Sequence, residues 1–133
     1  MPVRTSDARR RLGARGEQIA VDYLVGQGYV LQDRNWRCRI GELDLVLRDG
    51  EWLVMVEVRT RRAGATGSLP VLGGPEESIT RRKLARLALL AEEYLMTHPW
   101  PGPFRVDIVA LTLGQADAVV EMHHLRDAVG GRP

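Results

Sequence analysis

A turn dipeptide, Asp49-Gly50, separates two stretches in which apolar and polar residues alternate. The alternation runs through residues 42–48 and 51–60, and a period of two is that of a β-strand with two different faces. An Asp-Gly pair between two such runs is the strongest short-range signal for a β-hairpin. A two-residue turn at this pair sets residues whose numbers sum to 99 opposite each other. No other segment limits the possible folds as strongly, so we expect the protein to be built around this hairpin.

The predicted register gives the hairpin two different faces. One face pairs only apolar residues: Leu43 with Val56, Leu45 with Val54, and Leu47 with Trp52. The other face is apolar in its middle, where Val46 meets Leu53, so we expect a helix to cover it. At one end of that face Glu42 lies opposite Glu57, and Asp44 is a diagonal neighbour of Glu57 at about 7–8 Å between backbones. Three carboxylates are therefore predicted to converge beside an apolar surface.

The remaining segments predict two helices and further strands around the hairpin. The helices are expected at residues 6–27 and from Thr80 onward, the second with an apolar stripe of Leu84, Leu87, Ala88, Ala91 and Leu95. Strands are expected at 29–36, 104–113 and 119–125, and residues 61–78 are rich in Gly and Pro. This αβββαβ order with a late strand predicts a mixed central sheet flanked by helices, which we interpret as an α/β fold with α+β as the alternative. The length fits a single domain, residues 1–133, with frayed ends at 1–8 and 127–133.

The composition excludes several classes of protein. The chain is 44% apolar and 27% charged, and no apolar run approaches the roughly 20 residues of a membrane-spanning helix, so no membrane partner is expected. The basic N-terminus has no apolar stretch behind it, so no secretory signal is predicted. The single cysteine, Cys38, cannot form an internal disulfide. These features together predict a protein of the reducing cytoplasm.

The basic residues are unevenly distributed, although the net charge is only +2. Of the nineteen basic residues, all but Lys83 are arginines, and they cluster within residues 4–15, 34–39, 59–62 and 81–86. Such clusters suit a phosphate backbone, because the guanidinium fork matches phosphate geometry. The alternative is that these arginines only solvate the surface. The candidates for nucleic-acid contact are Arg37, Arg39, Arg61, Arg62 and Lys83.

The converging carboxylates are candidates for a metal site. Asp44 and Glu57 are predicted to share one divalent cation, with Glu42 as an additional acid, because Mg²⁺ takes one or two carboxylates and keeps several waters. A strand carbonyl such as that of Val58 would add a further oxygen. Glu17 would reach the ion directly or through water; its helical stripe consists of Gly13, Glu17, Ala20 and Leu24. The alternative is that these acids are simply hydrated at an open end of the sheet.

A family resemblance runs through most of the chain. The segments are, in order, GARGEQIAVDYL, GYVLQDRNWRCRIGELDLVLRDG, WLVMVEVRTR, RRKLARLALLAEEYL and FRVDIVAL. In order and spacing they resemble the YraN family of small bacterial proteins, which is assigned to the restriction-endonuclease-like, or PD-(D/E)XK, nuclease superfamily. The resemblance covers residues 12–113 and implies the αβββαβ core of that superfamily. It also implies that Asp44 is the acid of the second core strand, that Glu57 is the acid of the terminal triplet, and that Glu17 matches the helix glutamate of Holliday-junction-resolvase relatives.

The triplet Glu57-Val58-Arg59 departs from the superfamily pattern, which has lysine at its third position. Arg59 shares a strand face with Glu57 and can hold a phosphate, but a guanidinium keeps its proton and cannot act as a base. Lys83 resembles a basic position of the family that would approach the site or bind phosphate, with a solvated helix residue as the alternative. Arg105 and Asp107 also match a family motif, and we interpret them as a structural ion pair.

These observations favour a metal-dependent endonuclease that hydrolyses phosphodiester bonds of DNA, in branched or single-stranded form, with Mg²⁺ or Mn²⁺ as cofactor. Asp44, Glu57, Arg59 and Glu17 would carry the catalysis, and DNA is expected in preference to RNA. The alternative is a catalytically weak or inactive nuclease-fold protein that binds nucleic acid or a protein partner, which Arg59 favours. Oligomeric state stays open, and a homodimer is a candidate because resolvase-like relatives often dimerise.

Overall fold

The computed structural model describes residues 5–64 and 77–128. Within these residues there are two α-helices and five β-strands: α1 (Thr5–Gly26), β1 (Val30–Cys38), β2 (Gly41–Asp49), β3 (Trp52–Arg62), α2 (Glu77–Thr97), β4 (Phe104–Leu113) and β5 (Val119–Leu125). A short 3₁₀ turn, Gln115–Asp117, separates the last two strands. Much of the predicted Gly- and Pro-rich segment, and parts of the predicted frayed ends, lie outside the described residues.

The five strands form one mixed sheet in the order β1-β2-β3-β4-β5. Strands β3 and β4 are parallel, and the other neighbouring pairs are antiparallel. A parallel pair needs a long crossover connection, and here the crossover contains α2. The predicted fold class is confirmed: the protein is an α/β protein with a mixed sheet flanked by two helices, in the order of a restriction-endonuclease-like αβββαβ core followed by a fifth strand.

Each helix covers one face of the sheet. The core on the α1 side is formed by Ala20, Val21, Leu24, Tyr29, Leu45, Leu47, Val54, Val56, Val109, Leu111 and Leu113. The core on the α2 side is formed by Leu43, Val46, Leu53, Met55, Leu84, Leu87, Leu90, Ala91, Tyr94, Val106, Ile108 and Ala128. The hairpin face that was predicted to need a helix cover is therefore covered by α2. No helix among residues 5–64 and 77–128 is long and apolar enough to cross a membrane.

The hairpin exists, but its predicted register is wrong by two residues. Leu45 pairs with Val56 and Asp49 with Trp52, so that facing residues sum to 101 rather than 99. The turn residues are Gly50 and Glu51, and Gly50 has a φ of 60° while neither neighbour has a positive φ. Positive φ at the first central residue alone is typical of a type II′ turn with leading Gly, whereas the Asp-Gly turn requires it at both positions. Continuing the observed register sets Asp44 directly opposite Glu57 instead of diagonal to it.

Two further predictions are corrected by the structure. Leu43 packs in the α2-side core and not with Leu45 and Leu47, because the β2–β3 ladder ends at Leu45 and the strand is not held to β3 beyond it. The second helix was predicted from Thr80 onward, whereas α2 begins three residues earlier at Glu77.

Helix α1 lies unusually close to strand β3 at Gly16. Gly16 is buried, and a Cβ added there would overlap Oγ1 of Thr60 and lie 2.9 Å from Thr60 Cβ. Because Thr is branched at Cβ, no rotation about χ1 would remove this contact. The absence of a side chain at Gly16 therefore sets the distance between α1 and the sheet.

Substituting Gly16 by Ala should destabilise the protein. Overpacking of a tight contact typically costs about 1–3 kcal/mol, and this exceeds the roughly 0.5–1 kcal/mol that Ala gains over Gly within a helix. Gly13→Ala is the matched control, since a Cβ at Gly13 meets nothing within 4 Å. Thermal unfolding should show a lower Tm for Gly16→Ala and an unchanged or higher Tm for Gly13→Ala. Equal melting temperatures for the two variants would contradict the close approach.

Candidate metal and nucleic-acid site

Asp44 and Glu57 lie at the end of the β2–β3 ladder. The last pair of that ladder is Leu45 with Val56, while β3 continues beside β4 as far as Arg62. Beyond the last pair, the backbone N–H of Val58 donates a hydrogen bond to Oδ2 of Asp44 at 2.8 Å. A carboxylate thus replaces the strand carbonyl that a regular ladder would supply. The two strands separate here and leave the acids accessible from both faces of the sheet.

Both carboxyl groups have raised pKa values. Burial raises the pKa of Glu57 to about 7, and the adjacent charge of Asp44 adds to this, whereas Arg59 opposes it. Burial also raises the pKa of Asp44, although the hydrogen bonds from Val58 and Glu57 lower it. Since the two carboxyl groups hydrogen-bond each other, the protonated Glu57 donates to the Asp44 carboxylate. Below about pH 7 the pair therefore tends to hold one proton, as closely placed carboxylates do.

Arg59 is the cation that directly contacts this pair. Its Nε lies 3.2 Å from Oε2 of Glu57, and both side chains are more than two-thirds buried. This ion pair partly compensates the charge of the buried carboxylate. Arg59 and Glu57, which the sequence predicts on one face of the strand, therefore also lie on one face in the structure.

On the α1 side of the sheet, Glu17 joins the pair. Glu17, Asp44 and Glu57 line one cavity of about 350 Å³, whose other lining residues are Arg9, Leu12, Gly13, Val58, Arg59 and Thr60. Burial raises the pKa of Glu17, and the charge of Asp44 raises it further, while a hydrogen bond with Asn35 lowers it. The structure therefore brings the three predicted acids together around one cavity. Within the described parts of the chain, however, no three His, Cys, Asp or Glu side chains are arranged to hold a metal ion.

On the α2 side, a second cavity of about 240 Å³ opens onto the same pair. It is lined by Glu42, Asp44, Glu57, Arg59, Lys83, Arg86, Leu87 and Leu90. Lys83 therefore approaches the carboxylates, as the family resemblance implies. Arg86 was not predicted, although its position three residues after Lys83 places both on one face of α2 and was a usable signal.

The predicted nucleic-acid contacts divide into two groups. Arg37 and Arg39 line a groove beside the α2-side cavity, and Arg37 also forms an ion pair with Glu42 at 3.2 Å. Arg62 instead forms an ion pair with Asp117 at 2.7 Å. Neither Arg61 nor Arg62 is among the residues that line the two cavities at the carboxylate pair.

Arg105 and Asp107 form the structural ion pair that the sequence predicted. Arg105 Nε donates to Asp107 Oδ1 at 3.0 Å, and the same guanidinium donates to the hydroxyl of Tyr29 and to Asp49. Nε2 of His124 lies 2.9 Å from the other Asp107 oxygen. Burial alone would raise the pKa of Asp107, but its hydrogen bonds and the Arg105 charge hold that pKa below the ordinary value. This network joins β4 to β5 and to the hairpin turn.

The site is therefore a buried carboxylate pair at the end of a mixed sheet, with cations on both sides, in an α/β protein. Residues 16–111 match the model of the uncharacterised protein family UPF0102, and the chain belongs to this family. This membership confirms the YraN-like resemblance found in the sequence.

Several relatives carry the name UPF0102 protein. The protein of Kineococcus radiotolerans is 43% identical over 123 residues, which cover 91% of this chain and 93% of the relative. The protein of Chloroflexus aurantiacus is 44% identical and covers 92% of this chain and 95% of its own length. That of Clavibacter michiganensis is 48% identical over 75% of this chain and 80% of the relative.

The raised pKa of Glu57 predicts that the site lowers the free energy of unfolding in a pH-dependent way. Glu57 binds a proton in the folded protein up to about pH 7, but in the unfolded chain only up to its ordinary value of 4.5. The free energy of unfolding should therefore fall as pH rises from about 4.5 to 7 and then level off, by about 2–3 kcal/mol for this group. Glu57→Gln, measured without divalent cations, should raise the stability by that amount at pH 8 and change it little at pH 4.5.

Glutamine is a suitable replacement for Glu57, because its amide can donate a hydrogen bond to Asp44 as the protonated carboxyl group does. Glu51→Gln at the exposed turn is the matched control and should leave the pH profile of stability unchanged. Denaturant unfolding curves at the two pH values provide the measurement. A stabilisation of Glu57→Gln that is the same at both pH values would exclude a protonated Glu57.

Proposed function

We propose that this protein is a metal-dependent endonuclease that hydrolyses phosphodiester bonds of DNA. The observation that carries the proposal is the Asp44–Glu57 pair, two opposed and largely buried carboxyl groups that face a cavity lined by Arg59, Lys83 and Arg86. A structural role does not require two acids to be buried against each other, because like charges on facing strands destabilise a sheet. A divalent cation would relieve this repulsion, and the surrounding cations suit a phosphate.

The donor set fits Mg²⁺ or Mn²⁺. Asp44 and Glu57 are two hard oxygen ligands, Val58 lines the same cavity and has a carbonyl to offer, and the cavity volume leaves room for the waters that Mg²⁺ retains. Glu17 would then act through a water or on the substrate side, since among residues 5–64 and 77–128 no three acidic groups are arranged for direct ligation. A bound cation of this kind supplies Lewis-acid stabilisation of phosphoryl oxygens and activation of water.

The other polar residues have separate roles in this proposal. Arg59 and Lys83 stabilise the negative charge that develops on the phosphoryl group, because both line the cavity that contains the carboxylate pair. Arg59 cannot remove a proton, so deprotonation of the attacking water is assigned to a carboxylate. Glu17, which is not a direct ligand in this proposal and whose pKa is raised by burial, is the group suited to accept that proton.

A second candidate function is nucleic-acid binding without catalysis. It is favoured by Arg59 at the position where the superfamily pattern has lysine, and by the ion pair through which Arg59 occupies one oxygen of Glu57. Arg59 therefore competes with a cation for this carboxylate. In this second function the acids would be a remnant of a catalytic site and the arginines would hold the nucleic acid.

The test is a cleavage assay on duplex, branched and single-stranded DNA with Mg²⁺, with Mn²⁺ and with a chelator. The wild-type protein should cleave at least one substrate only when the divalent cation is present. Asp44→Asn, purified identically, should not cleave, which excludes a contaminating nuclease. Cleavage that persists in the chelator, or that is equal in both proteins, would overturn the proposed function.

A further inference from the structure

We propose that one phosphodiester strand reaches the carboxylate pair from the α2 face, across the tip of the β1–β2 hairpin. This inference deepens the proposed function and rests on it for the identity of the ligand. The surface concerned is called here the hairpin groove, a depression of about 370 Å³ lined by Arg37, Cys38, Arg39, Ile40, Gly41, Glu42 and Arg86. Glu42 and Arg86 also line the α2-side cavity. The groove therefore continues directly into the site.

The two openings of the site differ in the number of cations that line them. On the α2 face, the cavity and the hairpin groove together contain five cations, Arg37, Arg39, Arg59, Lys83 and Arg86, against three acids. The α1-side cavity contains two cations, Arg9 and Arg59, against three acids. The opening on the α2 face is therefore the more favourable one for a polyanion, because phosphate binding depends on neutralisation by Lys and Arg.

The hairpin groove is also built in advance of binding. The guanidinium of Arg86 donates a hydrogen bond to the carbonyl of Ile40 at the hairpin turn, which fixes the tip of β1–β2 against α2. Gly41, which follows Ile40, has a φ of 150°, a backbone conformation that favours glycine. A guanidinium has five N–H donors, so this bond leaves others for a phosphate. Arg86 is therefore held in place by Ile40 and still has N–H donors for a phosphate.

Glu42 lies where the hairpin groove meets the α2-side cavity. It lines both the hairpin groove and the α2-side cavity, and its carboxylate is paired with Arg37 at 3.2 Å. Since both side chains are more than a third exposed, this ion pair is weak and can open when a phosphate competes for Arg37. An uncompensated Glu42 carboxylate would repel the strand. Removing its charge should therefore strengthen binding.

The experiment measures binding of labelled single-stranded DNA by fluorescence anisotropy in a chelator at low salt, so that cleavage cannot interfere. The double variant R37A/R39A should bind at least about tenfold more weakly than wild type, and the salt slope of log K should fall by about 0.7 per lost contact. R48A/R126A is the matched control, because it removes the same charge at two exposed sites outside the groove. R48A/R126A should retain most of the wild-type affinity for the single-stranded DNA. Glu42→Gln should bind this DNA more tightly than wild type.

Equal losses in the two double variants, wild-type affinity in R37A/R39A, or absence of binding by wild type would overturn the inference. RNA of the same sequence, measured in parallel, identifies which sugar the strand contains and supports the same groove if R37A/R39A weakens it. The outcome is separable from that of the proposed function. Selective loss of binding in R37A/R39A supports the groove even if wild type never cleaves, and cleavage with unaltered binding in R37A/R39A supports the nuclease alone.

Discussion

Replacing Asp44 by asparagine should lower the cleavage rate by a factor on the order of 10³ or more. The variant removes one of the two negative charges that the proposal assigns to the divalent cation, and loss of even one electrostatic group at such a site typically costs roughly 10²–10³-fold. The fold should survive, since an amide oxygen can still accept the 2.8 Å hydrogen bond from Val58. The measurement is the initial rate with Mn²⁺ at saturating DNA.

Asp22→Asn is the matched control for this substitution. Asp22 is exposed on α1 and hydrogen-bonds Gln18, away from the carboxylate pair. Asp22→Asn makes the same chemical change as Asp44→Asn and should leave the cleavage rate unaltered. The circular dichroism spectrum of Asp44→Asn should match that of wild type. Its Tm should equal or exceed that of wild type, because the variant removes a buried charge. A rate equal to that of Asp22→Asn would show that Asp44 does not belong to a catalytic site.

Arg59 should respond in opposite directions to its two informative substitutions. Arg59→Ala should lower cleavage by roughly 10²–10³-fold, because a donor to the developing phosphoryl charge is lost. Arg59→Lys should keep or raise the rate, since lysine supplies the same charge, can relay a proton and reproduces the superfamily pattern. Arg59→Ala should also shift the pH profile of the rate to higher pH, because Arg59 holds the pKa of Glu57 down.

The pH shift separates a role at the site from a general loss of stability. A variant that is merely less stable would lose activity without moving the profile. Activity that appears only in Arg59→Lys would identify the natural protein as a binder in which the catalytic lysine has been replaced. Equal rates in wild type, Arg59→Ala and Arg59→Lys would remove Arg59 from the mechanism.

Local sequence patterns were sufficient to predict the elements and, except at Leu43, the faces of the sheet. The hairpin register was wrong by two residues, yet Asp44 and Glu57 were still placed on a common face. A shift of two preserves the alternation of side chains, whereas a shift of one would have reversed it. The turn itself was harder to predict, because Asp49-Gly50 and Gly50-Glu51 both provide a glycine at a position that a tight turn can use.

Contacts between distant segments were beyond the reach of local patterns. The role of Gly16 depends on Thr60, which is forty-four residues away in the chain. Similarly, His124 reaches Asp107, and Arg86 reaches Ile40, only because the sheet and α2 have been assembled. The ion pair of Arg62 with Asp117 depends on the 3₁₀ turn after β4, for which no sequence signal was found.

The glycine that sets the spacing between α1 and the sheet directly precedes Glu17 in the chain. The number of acids at the site is therefore a consequence of backbone packing as well as of residue type. A single methyl group at position 16 would act as a spacer that withdraws Glu17 from Asp44 and Glu57, while leaving all three carboxylates in the sequence. Two homologous chains with identical acids could for this reason possess a site of three carboxylates in one case and of two in the other.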